Sequence, residues 1–171
     1  MRFIADRTLG KLAKKLRMLG YDTVYYQGED PYQIFRLARQ EARTILTRNT
    51  KFFPKRPEDQ IVRVKSDHPT HQLRELVQKG YVSLEGESPF SRCLICNTIL
   101  QEIPKENAEG KVPDFIFSQQ KDFYQCSQCL RIYWQGSHLE NMAKEVEDLR
   151  RDLLGDAHHS GNTEGKKACN S

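Results

Sequence analysis

Residues 2–22, RFIADRTLGKLAKKLRMLGYD, decide how the rest of the chain is read. Arg2 to Ala5 is a short apolar run that suits a buried strand, and Asp6 arrives where that strand ends. Thr8 is placed to cap a following helix, in which Leu9, Leu12, Leu16 and Leu19 recur at three- and four-residue spacing and Gly20 supplies the stop. The opposite side of that helix carries Lys11, Lys14, Lys15 and Arg17. A strand-tip carboxylate beside a cationic helix can hold a metal ion and an anionic polymer together, although a charged outer face commonly serves solvation alone.

The same arrangement recurs downstream. Thr23 to Tyr26 reads as a second strand, and the polar turn after it ends at Asp30, whose position before Pro31 makes it a helix cap. The helix over Tyr32 to Glu41 turns Ile34, Leu37 and Ala38 inward. A third strand, Thr44 to Leu46, runs into Thr47-Arg48-Asn49-Thr50-Lys51; a fourth, Ile61 to Val64, ends at Ser66-Asp67 before a helix over Thr70 to Gln78. Strands alternating with helices predict an α/β fold with a parallel sheet, because parallel neighbours need crossover connections. Ligands of such sheets bind at the carboxyl ends of the strands, which here carry Asp6, Asp30, Asn49 and Asp67. There is no Gly-rich phosphate loop after the first strand, no adjacent acid pair there of the response-regulator receiver kind and no Asp-x-Asp, so several familiar phosphate chemistries drop out and metal-dependent phosphoryl chemistry remains.

The 171 residues have room for one ordinary domain and a small appendage. A formal charge of +4 suits contact with phosphates without demonstrating it. No apolar run approaches the ~20 residues that cross a bilayer, so the expectation is a cytoplasmic protein without a membrane partner. Four of the five cysteines form two C-x-x-C pairs, Cys93/Cys96 and Cys126/Cys129, the pattern of a closed tetrahedral zinc site. Such a site is structural, since it leaves no open coordination position. Its strands are expected at Phe115 to Phe117, Phe123 to Tyr124 and Ile132 to Trp134, followed by His138 and a charged helix over Leu139 to Leu154. The expected division is a sheet domain over 1–82, a polar link, a zinc ribbon with its helix over 90–154, and a disordered tail over 155–171.

The chemistry that the strand tips could perform is phosphodiester hydrolysis. Hard cations such as magnesium or manganese take oxygen ligands and keep several waters, so a few carboxylates and the substrate phosphate can complete their coordination. Arg7, Arg48 and Lys51 flank the proposed centre, and Lys11, Lys14, Lys15 and Arg17 extend the positive surface along which a backbone could lie.

These blocks together resemble the Mut-seven C-terminal ribonuclease domain family, in which a PIN-like sheet precedes a zinc ribbon. The resemblance is carried by FIADRTLGKLAKKLRMLGYD, ILTRN, SRCLICN, and CSQC followed by YWQGSH, in that order along the chain to about residue 150. It implies a metal-dependent ribonuclease acting on RNA, with Asp6 as the first strand-tip acid and Asp30 as the acid opening the second helix. One block departs: where the family pattern has Thr-Arg-Asp, this chain has Thr47-Arg48-Asn49, which removes one negative charge from the centre. The alternative reading is therefore a zinc-ribbon RNA-binding or ribosome-associated protein with a weakened nuclease centre. Neither reading identifies a protein partner or an oligomeric state.

Overall fold

The computed structural model of the chain describes residues 1–134 and 136–159, the side chains of 137–140, 142 and 154–159 excepted. Residues 1–136 form one compact unit and the segment from Ser137 onward a second. In the first unit, β1 (Arg2–Ala5), β2 (Asp22–Tyr25), β3 (Thr44–Thr47) and β4 (Ile61–Arg63) make a parallel sheet in the order β2-β1-β3-β4. The helices are α1 (Gly10–Met18), α2 (Pro31–Gln40) and α3 (Pro69–Gln78). The two central strands are buried along almost their whole length, as parallel strands covered on both faces should be.

Alternation along β1 sends Ile4 to one face and Phe3 and Ala5 to the other. On the first face Ile4 and Ile45 form a cluster with Ile34, Phe35 and Ala38 of α2. Elsewhere in the sheet domain α1 contacts α3, and Leu12, Leu16 and Leu76 are fully buried. Each such side chain contributes about 2 kcal/mol relative to exposure. The leucine spacing that predicted α1 therefore follows its buried side, but the start of the helix differs from expectation. Asp6, and not Thr8, is the cap: its carboxylate accepts from the Thr8 backbone amide at 2.9 Å, and Arg7–Leu9 is a single 3-10 turn leading into α1. The strand-tip acid thus shapes the chain that leaves it.

The connection after α3 packs against the end of α1. Glu87 and Phe90 donate their backbone amides to the carbonyls of Leu19 and Met18, at 3.0 and 2.8 Å. Gly20, at φ +88°, makes this approach possible, because a Cβ there would lie 2.3 Å from the Ser88 carbonyl oxygen. Beyond it β5 (Leu100–Ile103), β6 (Phe123–Cys126) and β7 (Ile132–Trp134) form an antiparallel sheet. Phe115 to Phe117, expected as a strand, lie instead in the short helix α4 (Asp114–Gln119), and the third strand is β5. Pro113 fixes the turn into α4, while Ile116 and Phe117 pack on the small cluster of Ala108, Val112 and Phe123. The alternation of apolar and polar residues in β5 is weak, which hides it in the sequence.

The second unit contains α5 (Ser137–His159), a charged helix with Glu147–Arg150 and Asp148–Arg151 pairs one turn apart. It continues past Leu154, where the sequence reading ends it; positions 160–171, including Cys169, lie outside the described residues. No helix among the described residues is long and apolar enough to cross a membrane.

Asp22 closes the far edge of the parallel sheet. Its carboxylate accepts from Arg43 at 2.6 Å, from Asn97 at 2.7 Å and from Arg2 at 3.2 Å. Burial alone would raise its carboxyl, but the bonds from Arg43 and Asn97, the Arg43 charge and the Arg2 bond hold it down to about 2. A depressed carboxyl stabilises the fold above its unfolded value, near 3.9, and the contribution fades as pH falls through the folded value. Asp22→Asn is expected to cost about 2 kcal/mol at pH 6 by urea unfolding. The gap to the parent chain should close between about pH 4 and pH 2.

Candidate active site and four-cysteine centre

The sheet order reverses direction at the β1/β3 boundary, since the chain leaves β1 for β2 on one side and returns to β3 on the other. A crevice at that point, outside the carboxyl ends, is where open parallel sheets bind ligands. Asp6 and Thr47 meet at that boundary, where the Thr47 hydroxyl donates to the Asp6 carboxylate. Asp6 is only 5% exposed, and its two oxygens accept from the Thr8 amide and hydroxyl on one side and from the Thr47 hydroxyl on the other. The same Thr47 hydroxyl oxygen accepts from the Asn49 backbone amide at 2.9 Å. Asp6, Thr47 and Asn49 are therefore one hydrogen-bonded chain across two strand tips.

Thr47 is the member that reasoning from the sequence missed. Its signal is present: it is the one hydroxyl at the carboxyl end of a strand whose residues are all buried, next to Arg48-Asn49. A valine would fill the same space and leave Asp6 Oδ2 without its donor. Thr47→Val is therefore expected to lower any Asp6-dependent activity at least tenfold, whereas Thr47→Ser should retain most of it. Melting curves of the two variants would separate lost chemistry from lost packing.

The other expected site residues lie further out. Asp30 is exposed and caps α2, accepting from the Tyr32 amide at 2.8 Å. The first turn of that helix nonetheless reaches the β3 tip, because Pro31, Tyr32 and Asn49 line one shallow hollow. Asn49 is exposed, and its side-chain oxygen accepts from the Lys51 amide at 2.9 Å, which bends the loop and leaves a second lone pair. Asp67 is exposed in the β4–α3 connection. Among the described residues these carboxylates do not form a group of three ligand atoms within reach of one ion; the four cysteines do.

The cations divide as well. Lys11, Lys14, Arg48 and Lys51 are exposed; Lys15 is half-buried; Arg7 is exposed and pairs with Glu29 at 3.1 Å. Arg17, expected on the same outer surface, is only 5% exposed. Its Nε donates to the Thr23 carbonyl at 2.8 Å, and one terminal nitrogen donates to the Leu94 and Ile95 carbonyls at 2.7 and 2.9 Å. Burial pushes this guanidinium below its ordinary value against the opposing pull of Cys93, Cys96 and Asp22. Helix position 17 faces β2 and the first cysteine turn, so its charge is spent inside the protein. The side chain of His138 lies outside the described residues.

The two cysteine turns meet as their spacing predicts. All four sulfurs lie within 4.8 Å of one another, with Cys93 Sγ 3.7 Å from Cys129 Sγ. A sulfur tetrahedron about 2.3 Å from a central zinc has edges of about 3.8 Å, so the cluster could hold such a metal. Burial favours the neutral Cys93 thiol, but bonds from the Tyr133 hydroxyl and from backbone amides outweigh it and bring Cys93 to about 6. Burial and the neighbouring thiols push Cys96 up to about 12. A metal would displace protons from such a group, so affinity should fall as pH falls. Protein purified without chelator is expected to carry one zinc, counted with a colorimetric chelator after mercurial treatment. Removing it should abolish the near-ultraviolet signal of Trp134 and Tyr133, and an unchanged spectrum would argue against a structural metal.

A parallel sheet with a buried acid at a strand tip, followed by paired cysteine turns, is the arrangement to be compared with known families. The chain belongs to the Mut7-C RNAse domain family, whose model matches residues 1–146. No curated protein and no solved structure gives a match. The family points to a ribonuclease-related function, with RNA as the substrate class.

Proposed function

We propose that this chain is a metal-dependent ribonuclease whose centre is the Asp6–Thr47–Asn49 crevice, with a structural zinc at Cys93, Cys96, Cys126 and Cys129. The observation that carries this reading is the state of Asp6. It is a buried carboxylate for which the described residues supply two hydroxyls and an amide but no cationic side chain. Buried charges are ordinarily paired or bound to metal, so the residues fit a hard cation better than an empty crevice.

Magnesium or manganese, when bound there, would activate a water and stabilise the leaving oxygen of an in-line displacement. Asp6 would be the principal ligand, its carboxylate oriented by Thr8 and Thr47. Asn49 offers a neutral oxygen at the adjoining tip, and Asp30 a carboxylate at the start of α2; Asp67 is the outermost candidate. Exposed Lys11, Lys14, Arg48 and Lys51 would hold the phosphate backbone, and the chain's net charge of +4 draws it in. Arg17 is omitted from this surface because it is engaged with the cysteine turn.

A second reading, RNA binding without cleavage, is favoured by a specific feature: the β3 tip carries the neutral Asn49, and the carboxylates nearby are dispersed. The deciding assay is cleavage of mixed labelled RNAs in manganese by the parent chain, Asp6→Asn and Asn49→Asp, each with its zinc content verified. Cutting by the parent and its loss by at least a hundredfold in Asp6→Asn is the expected result. Cutting by Asn49→Asp alone, or retention of RNA without cutting by all three, would favour the binding protein.

A further inference from the structure

The loop that leaves the Asn49 tip separates two hollows and walls both. On the near side Tyr32, Asn49, Lys51 and Phe52 surround a space of about 270 Å³. On the far side Phe52, Phe53, Arg63, Lys65 and Tyr81 surround one of about 500 Å³. Phe52 is the fixed partition. Its ring stacks on Phe35 at 5.7 Å between centroids, and its carbonyl accepts from Arg63 at 2.8 Å.

The aromatic rings on either side of that partition are largely in water. Tyr32 is 73% exposed and Phe53 is 55% exposed. Arg63 lies over the Phe53 ring, its guanidinium 4.7 Å from the centroid. Neither hollow is lined by a carboxylate, while Lys51 and Lys55 line the near one and Arg63, Lys65 and Lys79 the far one. Of these, Lys79 is engaged with Glu75 at 3.6 Å and with the Arg63 carbonyl. Exposed aromatic faces interleaved with cations, without acids, match the way unpaired bases and their phosphates are held. A duplex cannot use such faces, because its bases are stacked on one another.

We propose that these hollows are base-stacking subsites for single-stranded RNA, Tyr32 receiving a base beside the Asn49 tip and Phe53 a base beyond the Phe52 partition. The proposal rests on the ribonuclease reading and names the form of its substrate. Selectivity for single strands then comes from stacking, and the lysines contribute affinity that depends on salt but not on sequence.

The test uses the full zinc-loaded chain carrying Asp6→Asn, with fluorescein-labelled RNA followed by anisotropy in manganese. The probes are a 12-residue single strand, its duplex, and an abasic ribose-phosphate oligomer of the same length. Tyr32→Ala and Phe53→Ala should each weaken single-strand binding roughly five- to a hundredfold and leave the duplex and the abasic oligomer within twofold. Phe53→Tyr should restore binding, and because both side chains are largely exposed the variants should melt with the parent. Equal binding by parent and alanine variants, or parallel losses on all three probes, overturns the proposal. The chain with Asp6 intact separates the two readings. If it leaves RNA uncut while the aromatic variants lose single-strand affinity, the subsites stand and the nuclease reading fails. If it cuts and the aromatic variants bind and cut like the parent, the nuclease stands and the subsites fail.

Discussion

A buried guanidinium ties the parallel sheet to the first cysteine turn. Arg17 leaves α1, passes the edge strand β2 with a bond to Thr23, and ends on the carbonyls of Leu94 and Ile95 in the first cysteine turn. Its partners are chiefly backbone oxygens, and the nearby charges that favour it are Cys93, Cys96 and Asp22. If the four cysteines held a zinc ion as thiolates the centre would carry net negative charge, and the guanidinium buried beside it would offset part of the cost of burying both. Asn97 reinforces the junction from the other direction: its side-chain oxygen accepts from the Thr23 amide and its nitrogen donates to Asp22. The cysteine turn is in this way a fifth neighbour of the parallel sheet, attached to β2 by side chains where no further strand follows.

That junction has consequences at the opposite end of α1. The helix that carries Arg17 is entered through the 3-10 turn capped by Asp6, so the same short element is anchored at one end by the cysteine turn and at the other by the strand-tip acid. The Gly20–Ser88 approach and the bonds from Glu87 and Phe90 further fix where α1 ends. A helix held at both ends gives the Asp6 carboxylate a rigid support.

Around the strand tips, polar side chains shape the backbone that leaves the sheet. Asp6 caps a turn and receives the Thr47 hydroxyl; Asn49 bends a loop while leaving a lone pair; Asp30 starts α2. Phe52 plays the equivalent apolar part. By stacking on Phe35 it pins the loop whose outer residue, Phe53, remains in water.

By itself the sequence determined the periodic and the stoichiometric features. Leucines at helical spacing, short apolar strands ending in acids and two C-x-x-C turns were enough for a four-stranded parallel sheet and a four-sulfur cluster, because burial period and ligand count are local properties of a chain. The tertiary structure alone decided which polar groups meet. Arg17 shares a helix face with no label that distinguishes it from Lys14, yet only position 17 points at β2 and the cysteine turn. Thr47 reads as an ordinary strand residue until strand order places it opposite Asp6. Phe115 to Phe117 read as a strand by composition, but Pro113 and the packing of Ile116 and Phe117 on a small core made them a helix. Pairing between strands and docking between sheets are long-range, and a single chain carries no local mark of the partner that each side chain will find.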